Sequence, residues 1–293
     1  MPEFWDEPFA DSSQIPTYIL SLLTRRQVTV SLSGDGGDEL FCGYQRYFWM
    51  NRWDKVARIP WRIRTLAAVV LKRLPARIFD VLGPLGQKIR WRLDILGMRD
   101  FAEFYRYFMS HFKRPAEFVP GGEEPETPLT NARNRIMGDR YAQMALWDIV
   151  NYLPGDILTK VDRASMAVSL EARVPLLDHR VVEFAARVPT AWKVRHDQGK
   201  WLLRQVLYRY VPQALVERPK MGFGIPLGEW LRGDLREWCE DLLSPAMIRR
   251  QGCLDAATVS RMWREYLAGE SNWSPYLWDV LMFQAWHERW VKA

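Results

Sequence analysis

Cysteine and histidine are scarce in this chain, and each scarcity closes off a class of chemistry. Three cysteines (Cys42, Cys239, Cys253) form no C-x-x-C pair and are odd in number, so neither a disulfide framework nor a zinc site is predicted. Four scattered histidines supply no metal cluster. No apolar run approaches the roughly 18 residues that span a bilayer. The opening MPEFWDEPF is acidic and aromatic, unlike a secretory leader. These absences predict a cytoplasmic compartment. Strand signals are sparse as well. Only Gln27-Val-Thr-Val-Ser31 reads as a buried parallel strand, over Val28–Leu32, and no second long one follows. A parallel strand needs neighbours on both sides, so the pattern is that of an incomplete sheet in a mostly helical chain.

The rest is ordinary globular composition. With 293 residues, 48% hydrophobic and 26% charged, the chain can bury a core of one or two domains. The net charge of +6 is unevenly spread: eleven Lys/Arg lie between Arg52 and Arg92 against two acids, Asp54 and Asp80. Residues 52–95 read as basic amphipathic helices broken at Pro60, Pro75 and Gly83-Pro84, with Ile59, Ile63, Leu66, Val70 and Leu74 on one apolar face. Two readings stand: a helical insertion with solvated arginines, or a docking face for an anionic membrane or acidic partner. The stretch Pro115–Pro128 reads as a mobile loop. Residues 131–152 read as a long helix closed at Leu153-Pro-Gly155, and residues 155–169 as a second. In the tail, Trp278, Met282, Ala285, Trp286 and Trp290 recur at helical spacing, which fits core or interface.

The chemistry concentrates in Ser31-Leu-Ser-Gly-Asp-Gly-Gly-Asp-Glu-Leu-Phe-Cys-Gly-Tyr44. A strand precedes it and helical spacing follows over Asp38–Tyr47, the setting in which backbone N–H groups gather around phosphate. Gly34, Gly36 and Gly37 allow positive φ and close approach to a ligand. Carboxylates at Asp35, Asp38 and Glu39 beside phosphate make sense with Mg²⁺ between them. A tight turn with solvated acids is the plainer alternative. Farther along, Lys160 and Arg163 share a helix face with Asp156 and Asp162 nearby, the pattern of a salt-bridged surface. Glu171 and Arg173 are placed to pair across a loop before Pro175, and Asp178 to cap a helix over Arg180–Arg187. Lys200 opens a helix, where a cation is unfavourable unless an anion is near.

SLSGDGGDELFCGYQRY closely resembles the pyrophosphate-binding loop of glutamine-hydrolysing asparagine synthetases. Asp6-Glu-Pro-Phe-Ala-Asp-Ser-Ser13, the segments 153–163 and 165–178, Gly199-Lys-Trp-Leu-Leu-Arg204 and Arg218–Pro226 match further motifs in the family's order, over about residues 3–235. The resemblance implies an α/β fold, a partial adenine-nucleotide alpha-hydrolase-like (PP-loop) parallel sheet. It implies a domain over 1–235, with a basic helical insertion and loop at 52–128, and a helical extension over 236–293. The implied reaction activates a carboxylate with ATP and Mg²⁺: an acyl-adenylate forms, pyrophosphate leaves, and ammonia displaces AMP. Aspartate is the expected acceptor, with a surface-polysaccharide carboxylate as the alternative; a non-catalytic, membrane- or partner-docking descendant is the other.

By the same resemblance Ser33, Gly34, Asp35, Gly36, Gly37, Asp38 and Glu39 hold the nucleotide and pyrophosphate, with Asp38 on Mg²⁺. Lys200 and Asp35 are catalytic, and Lys160, Asp162, Arg163, Glu171 and Arg173 line the acceptor side. Many relatives carry Glu where Asp35 stands, one methylene longer. The family's N-terminal glutaminase domain and its first nucleotide loop, Ser-Gly-Gly-x-Asp-Ser, have no counterpart in these residues. The expectation is an incomplete synthetase half, inactive or weak alone, with a missing N-terminal portion or a second copy as partner and no role for nucleic acid.

Overall fold

The computed structural model describes residues 2–50, 53–73, 93, 95–123, 125–127, 129, 138–217 and 224–291. Helices dominate. Helix α1 (Gln14–Arg25) leads into strand β1 (Val30–Leu32), and the loop after it enters a single turn, α2 (Gly37–Leu40), then α3 (Gln45–Met50). The helix expected across Asp38–Tyr47 is thus interrupted. Gly43 N–H returns to Asp38 O at 2.8 Å, and Phe41 O accepts from Lys200 N–H at 2.8 Å, so the chain turns where a helix would continue. After a short helix at Trp53–Ala57 come α4 (Trp61–Lys72) and α5 (Phe101–Met109).

From Arg140 to Met166 the chain is helical without a break: α6 (Arg140–Trp147), a π-helical stretch (Asp148–Leu158) and α7 (Thr159–Met166). The break expected at Leu153-Pro-Gly155 does not occur. Pro154 lies inside the π-helical stretch, and the Thr159 hydroxyl takes up the Pro154 carbonyl at 2.7 Å. A wider helix absorbs a residue that lacks an N–H, and such stretches favour functional sites. Residues 131–137, the expected start of this helix, lie outside the described residues.

The segment Glu171–Arg173, read from sequence as a loop, is strand β2. It pairs parallel with β1, Val30 opposite Glu171 and Leu32 opposite Arg173. Three residues are too short for a periodic signal, so only the pairing reveals it. Glu171 and Arg173 do pair, at 2.7 Å, but on an exposed face and not as a buried clamp. Helix α7 packs on α1 and on β2, which completes a small α/β unit. The remaining helices of six residues or more are α8 (His179–Arg187), α9 (Trp201–Leu207), α10 (Leu227–Arg232), α11 (Arg236–Leu242), α12 (Pro245–Gln251), α13 (Ala256–Leu267) and α14 (Ser274–Trp290). Asp178 caps α8 as expected, accepting from Arg180 N–H at 2.9 Å.

The strand is less buried than the sequence suggests. Leu32 is 74% exposed, and Ile19, Leu20, Leu23 and Val28 are exposed beside it. This is apolar surface of the kind a wider parallel sheet covers. Elsewhere packing is dense. One core gathers Leu231, Cys239, Val259, Tyr266, Leu277 and Leu281 from α10–α14, with Ala10 and Ile15 against it. The tail tryptophans serve this packing: Trp278 is buried, while Trp286 and Trp290 donate to Asp6 O and Pro2 O. Phe118, in the stretch expected to be mobile, packs against Phe112 and the same core.

A second core surrounds a buried charge. Asp148 is fully buried and accepts from Arg46 Nη2 at 2.8 Å and from the Tyr47 and Tyr105 hydroxyls. Arg46 lies over Tyr44 at 3.8 Å and Tyr152 at 4.8 Å. Burial, followed by the Asp148 charge, pushes Tyr47 and Tyr105 well above the usual phenol range, so both stay protonated as donors. Removing one partner of such a pair strands the other. Asp148→Ala is therefore expected to lower unfolding free energy by about 3–5 kcal/mol in urea titration. A loss below about 0.5 kcal/mol would show that Arg46 has other compensation.

Candidate active site

The loop residues 33–36 sit at the carboxyl ends of the two parallel strands, where open α/β sheets bind ligands. Ser33 N–H extends the ladder by one bond, to Arg173 O at 2.8 Å. The chain then leaves the sheet. The Ser33 hydroxyl bonds the Asp35 carboxylate, which fixes that side chain within the loop. Gly36 takes φ +81°, and a Cβ there would stand 2.4 Å from Leu177 Cδ2, so glycine is required twice over. The N–H groups of Gly34 and Gly36 have no acceptor among the described residues, and space is open in front of Gly34.

Lys200 reaches this loop from far along the chain. Its backbone is left-handed, φ +57°, at the start of α9, and its Nζ lies 2.9 Å from Asp38 Oδ2. Two glycines make the approach possible. A Cβ on Gly199 would stand 2.1 Å from Cys42 O; one on Gly43 would meet Asp38 Oδ1 at 2.1 Å and Lys200 Cε at 2.3 Å. The two groups assigned separately to magnesium and to phosphate are thus partners here. An incoming polyanion meets a lysine already positioned, with a carboxylate it can exchange for phosphate.

Beside the loop is a cavity of about 710 Å³, lined by Ser33, Asp35, Asp38, Tyr44, Tyr152 and Lys160 among others. Glu39 lies at its base, only 1% exposed, and Tyr44 donates to its Oε1 at 2.6 Å. Burial pushes the Glu39 carboxyl up, against the hydrogen bond from Tyr44. Glu39 is therefore part of the floor and not a solvated first-turn acid. A larger cavity of about 1320 Å³ lies on the other side of Tyr152, which lines both; Asp11 and Asp156 face the larger one. The smaller cavity carries the loop, so it is the candidate site.

Of the expected acceptor-side set, only Lys160 lines the cavity. It is largely buried and pairs with Asp11 at 2.5 Å. Arg163 pairs at the surface with Asp6 at 2.9 Å, Asp162 is exposed, and Glu171 and Arg173 engage each other on the outer face. Of the stretch Arg218–Pro226, residues 218–223 lie outside the described residues. No group of three His, Cys, Asp or Glu close enough to cage a metal occurs among the described residues. A Mg²⁺ would thus take Asp38 as one ligand and its other oxygens from phosphate and water, which is this ion's usual preference.

A profile of the family described as asparagine synthase matches residues 1–288. The chain belongs to the asparagine synthase family. It is 33% identical, over 99% of its length, to a Mycobacterium tuberculosis protein provisionally named an asparagine synthetase (glutamine-hydrolysing). It is 28% identical, over 97% of its length, to asparagine synthetase (glutamine-hydrolysing) 1 of Bacillus subtilis. In both cases the chain spans 44% of the relative's length. Within the family's Asp6–Ser13 motif, the residue that sequence reasoning passed over is Asp11. It reads there as part of a helix cap and does bond Ser13, but its second oxygen holds Lys160. Tyr152 was also missed, and Asp156 was read only as part of a salt-bridged helix face; both lie in the π-helical stretch, where spacing rules fail.

Asp11 and Asp156 titrate in opposite directions. Burial raises Asp11, but Lys160 and Ser13 outweigh it and the net shift is downward. Burial, followed by the Asp11 charge, pushes Asp156 up to about 6 from 3.8, and its Oδ1 has no hydrogen-bond partner among the described residues. A raised carboxyl favours the fold while protonated, so that contribution is lost as pH rises from about 4 through about 6. Asp11 acts oppositely, losing its contribution as pH falls below 3.8. Asp156→Asn should accordingly gain in melting temperature over the wild type between about pH 4 and about pH 7. A pH-independent difference would show that Asp156 ionises without cost.

Proposed function

We propose that this chain forms the pyrophosphate side of the active site in an ATP-dependent carboxylate amidation, with aspartate as acceptor. The observation that carries the reading is the Lys200 Nζ–Asp38 pair, 2.9 Å, at a loop with two unclaimed N–H groups. In this reading the acceptor carboxylate attacks the α-phosphorus of ATP. The bond to the β-phosphate oxygen breaks, and the negative charge leaves with pyrophosphate. The amides of Gly34 and Gly36 and the Lys200 ammonium receive that charge; preorganised donors of this kind stabilise the transition state more than the ground state. Ammonia then attacks the acyl carbon and AMP departs.

Each residue has a part. Asp38 orients Lys200 and would hold a Mg²⁺, which when bound would supply charge neutralisation on the phosphates. Asp35, tied back to the Ser33 hydroxyl, keeps the loop in its open form and stands at the cavity wall. Lys160, set by Asp11, offers a cation to the acceptor's carboxylates. The exposed apolar surface of α1 and β1 reads as the seat of further parallel strands, which would carry the other phosphate contacts. The chain alone is accordingly a weak catalyst at most. The relatives' names include glutamine hydrolysis; no cysteine is among the described residues that line the loop's cavity, and free ammonia is the nitrogen source tested first.

The test is ATP-dependent pyrophosphate release with Mg²⁺, L-aspartate and ammonium, by the chain joined to an upstream segment bearing a Ser-Gly-Gly-x-Asp-Ser loop. Lys200→Ala should lower aspartate-dependent release by about 100-fold or more. Equal rates in Lys200→Ala and the wild type would refute the role of this lysine. Release that ignores aspartate but follows another carboxylate would replace the acceptor.

A further inference from the structure

Helix α4 is built inside out. Its sequence pattern puts Ile63, Leu66 and Val70 on one stripe, the face a soluble helix turns to its core. In the structure that stripe faces solvent: Leu66 is 66% exposed, and Ile63, Val69, Val70 and the preceding Ile59 are exposed with it. The buried positions are Arg64, 3% exposed, and Ala68. Arg64 is anchored by its Nε to Ile59 O at 2.8 Å and by Nη1 to Leu96 O at 3.2 Å, and its guanidinium lies 5.0 Å from the Trp53 ring. Thr65 adds a bond to Gly97 O. The helix is thus held to the body by its polar face.

The charges that the segment itself sets beside the stripe are basic. Arg62, in α4, and Arg73, which caps it, are exposed and eleven residues (about three turns) apart, along a line next to the apolar one, and Arg58 is exposed in the turn before Pro60. No acid occurs between Asp54 and Asp80. Trp61, half exposed, stands at the helix start with the Arg62 and Arg99 guanidiniums over its ring, at 5.8 and 5.4 Å. Aliphatic residues on one stripe, arginines beside it and a tryptophan at the end match the demands of a lipid interface. The aliphatics enter the acyl boundary, the arginines meet phosphates, and the indole sits at headgroup depth. An acidic protein would match the arginines but would leave the choice of Ile, Leu and Val without a reason. No helix among the described residues is long and apolar enough to cross a membrane.

We propose that α4 is an interfacial helix that seats this protein on an anionic phospholipid surface. Because the contact uses only side chains that are already exposed, binding needs no unfolding.

Co-sedimentation with vesicles tests this, using phosphatidylcholine alone and phosphatidylcholine with an equal part of phosphatidylglycerol. The full chain should pellet with the mixed vesicles, and high salt should weaken binding. The pair Leu66→Glu and Val70→Glu should reduce partitioning about tenfold or more, as should Arg62→Glu with Arg73→Glu. Both variants alter exposed positions, so their circular dichroism and unfolding midpoints should match the wild type. Three outcomes would overturn the proposal: no pelleting with either vesicle, undiminished binding by the Leu66→Glu/Val70→Glu variant, or binding only to an acidic polypeptide. Slow labelling of Val70→Cys by a water-soluble maleimide without vesicles would also do so. It would mean that residues 74–92 or a second copy already cover the stripe.

Discussion

Two stretches of backbone meet at Gly43 and Gly199, and the candidate site depends on that meeting. A Cβ on Gly199 would fall 2.1 Å from Cys42 O and 3.0 Å from Gly43 Cα, well inside van der Waals contact. With neither side chain present, Lys200 N–H bonds Phe41 O at 2.8 Å, and its ammonium arrives at Asp38. The left-handed backbone at Lys200 costs on the order of 1 kcal/mol. That cost is offset by the hydrogen bond and by the ion pair it sets up. The arrangement holds a cation next to a phosphate-type loop before any ligand arrives.

The floor beneath the loop is equally constrained. Glu39 and Tyr44 close the cavity base; Tyr44 lies under Arg46, and Arg46 is fixed by buried Asp148. A buried charge is tolerated only when its partners are complete, and Asp148 has an arginine and two phenols. The chain of contacts runs from the site into the core that surrounds Trp53, Phe104 and Trp147. The π-helical stretch belongs to the same structure: it starts at Asp148 and carries Tyr152 and Asp156 onto the cavity walls.

Much of the candidate site was legible in the sequence and much of the fold was not, for separate reasons. The loop Ser33–Asp38 announces itself because glycine and acid at that density have few other uses. Lys200 was legible through electrostatics, as a cation at a helix start. Family membership, expected from the loop and five further ordered motifs, is established, as is an α/β architecture rich in helix. Strand β2 was invisible because three residues carry no period. The helix through Pro154 defeated the rule that proline ends helices, since a π-helical turn tolerates it. The stripe at Ile59, Ile63, Leu66 and Val70 was found, while Leu74 lies outside the described residues; the stripe's direction was left open between core and docking face, because periodicity reports a face and never what the face meets. Asp11 was hidden because its carboxylate binds both its neighbour Ser13 and the distant Lys160, and sequence shows only the neighbour.

The central claim is that the loop beside Lys200, and not the larger cavity beyond Tyr152, is where the polyphosphate binds. Titration with magnesium pyrophosphate, followed by backbone amide resonances, separates the two directly. The account predicts that amides of Ser33 to Gly37 and of Lys200 move together and saturate, and that Lys200→Ala abolishes the shifts. If instead the amides of Asn151, Gly224 and Gly228, which line the larger cavity, move while the loop stays still, the site has been misplaced and the mechanism built on it fails.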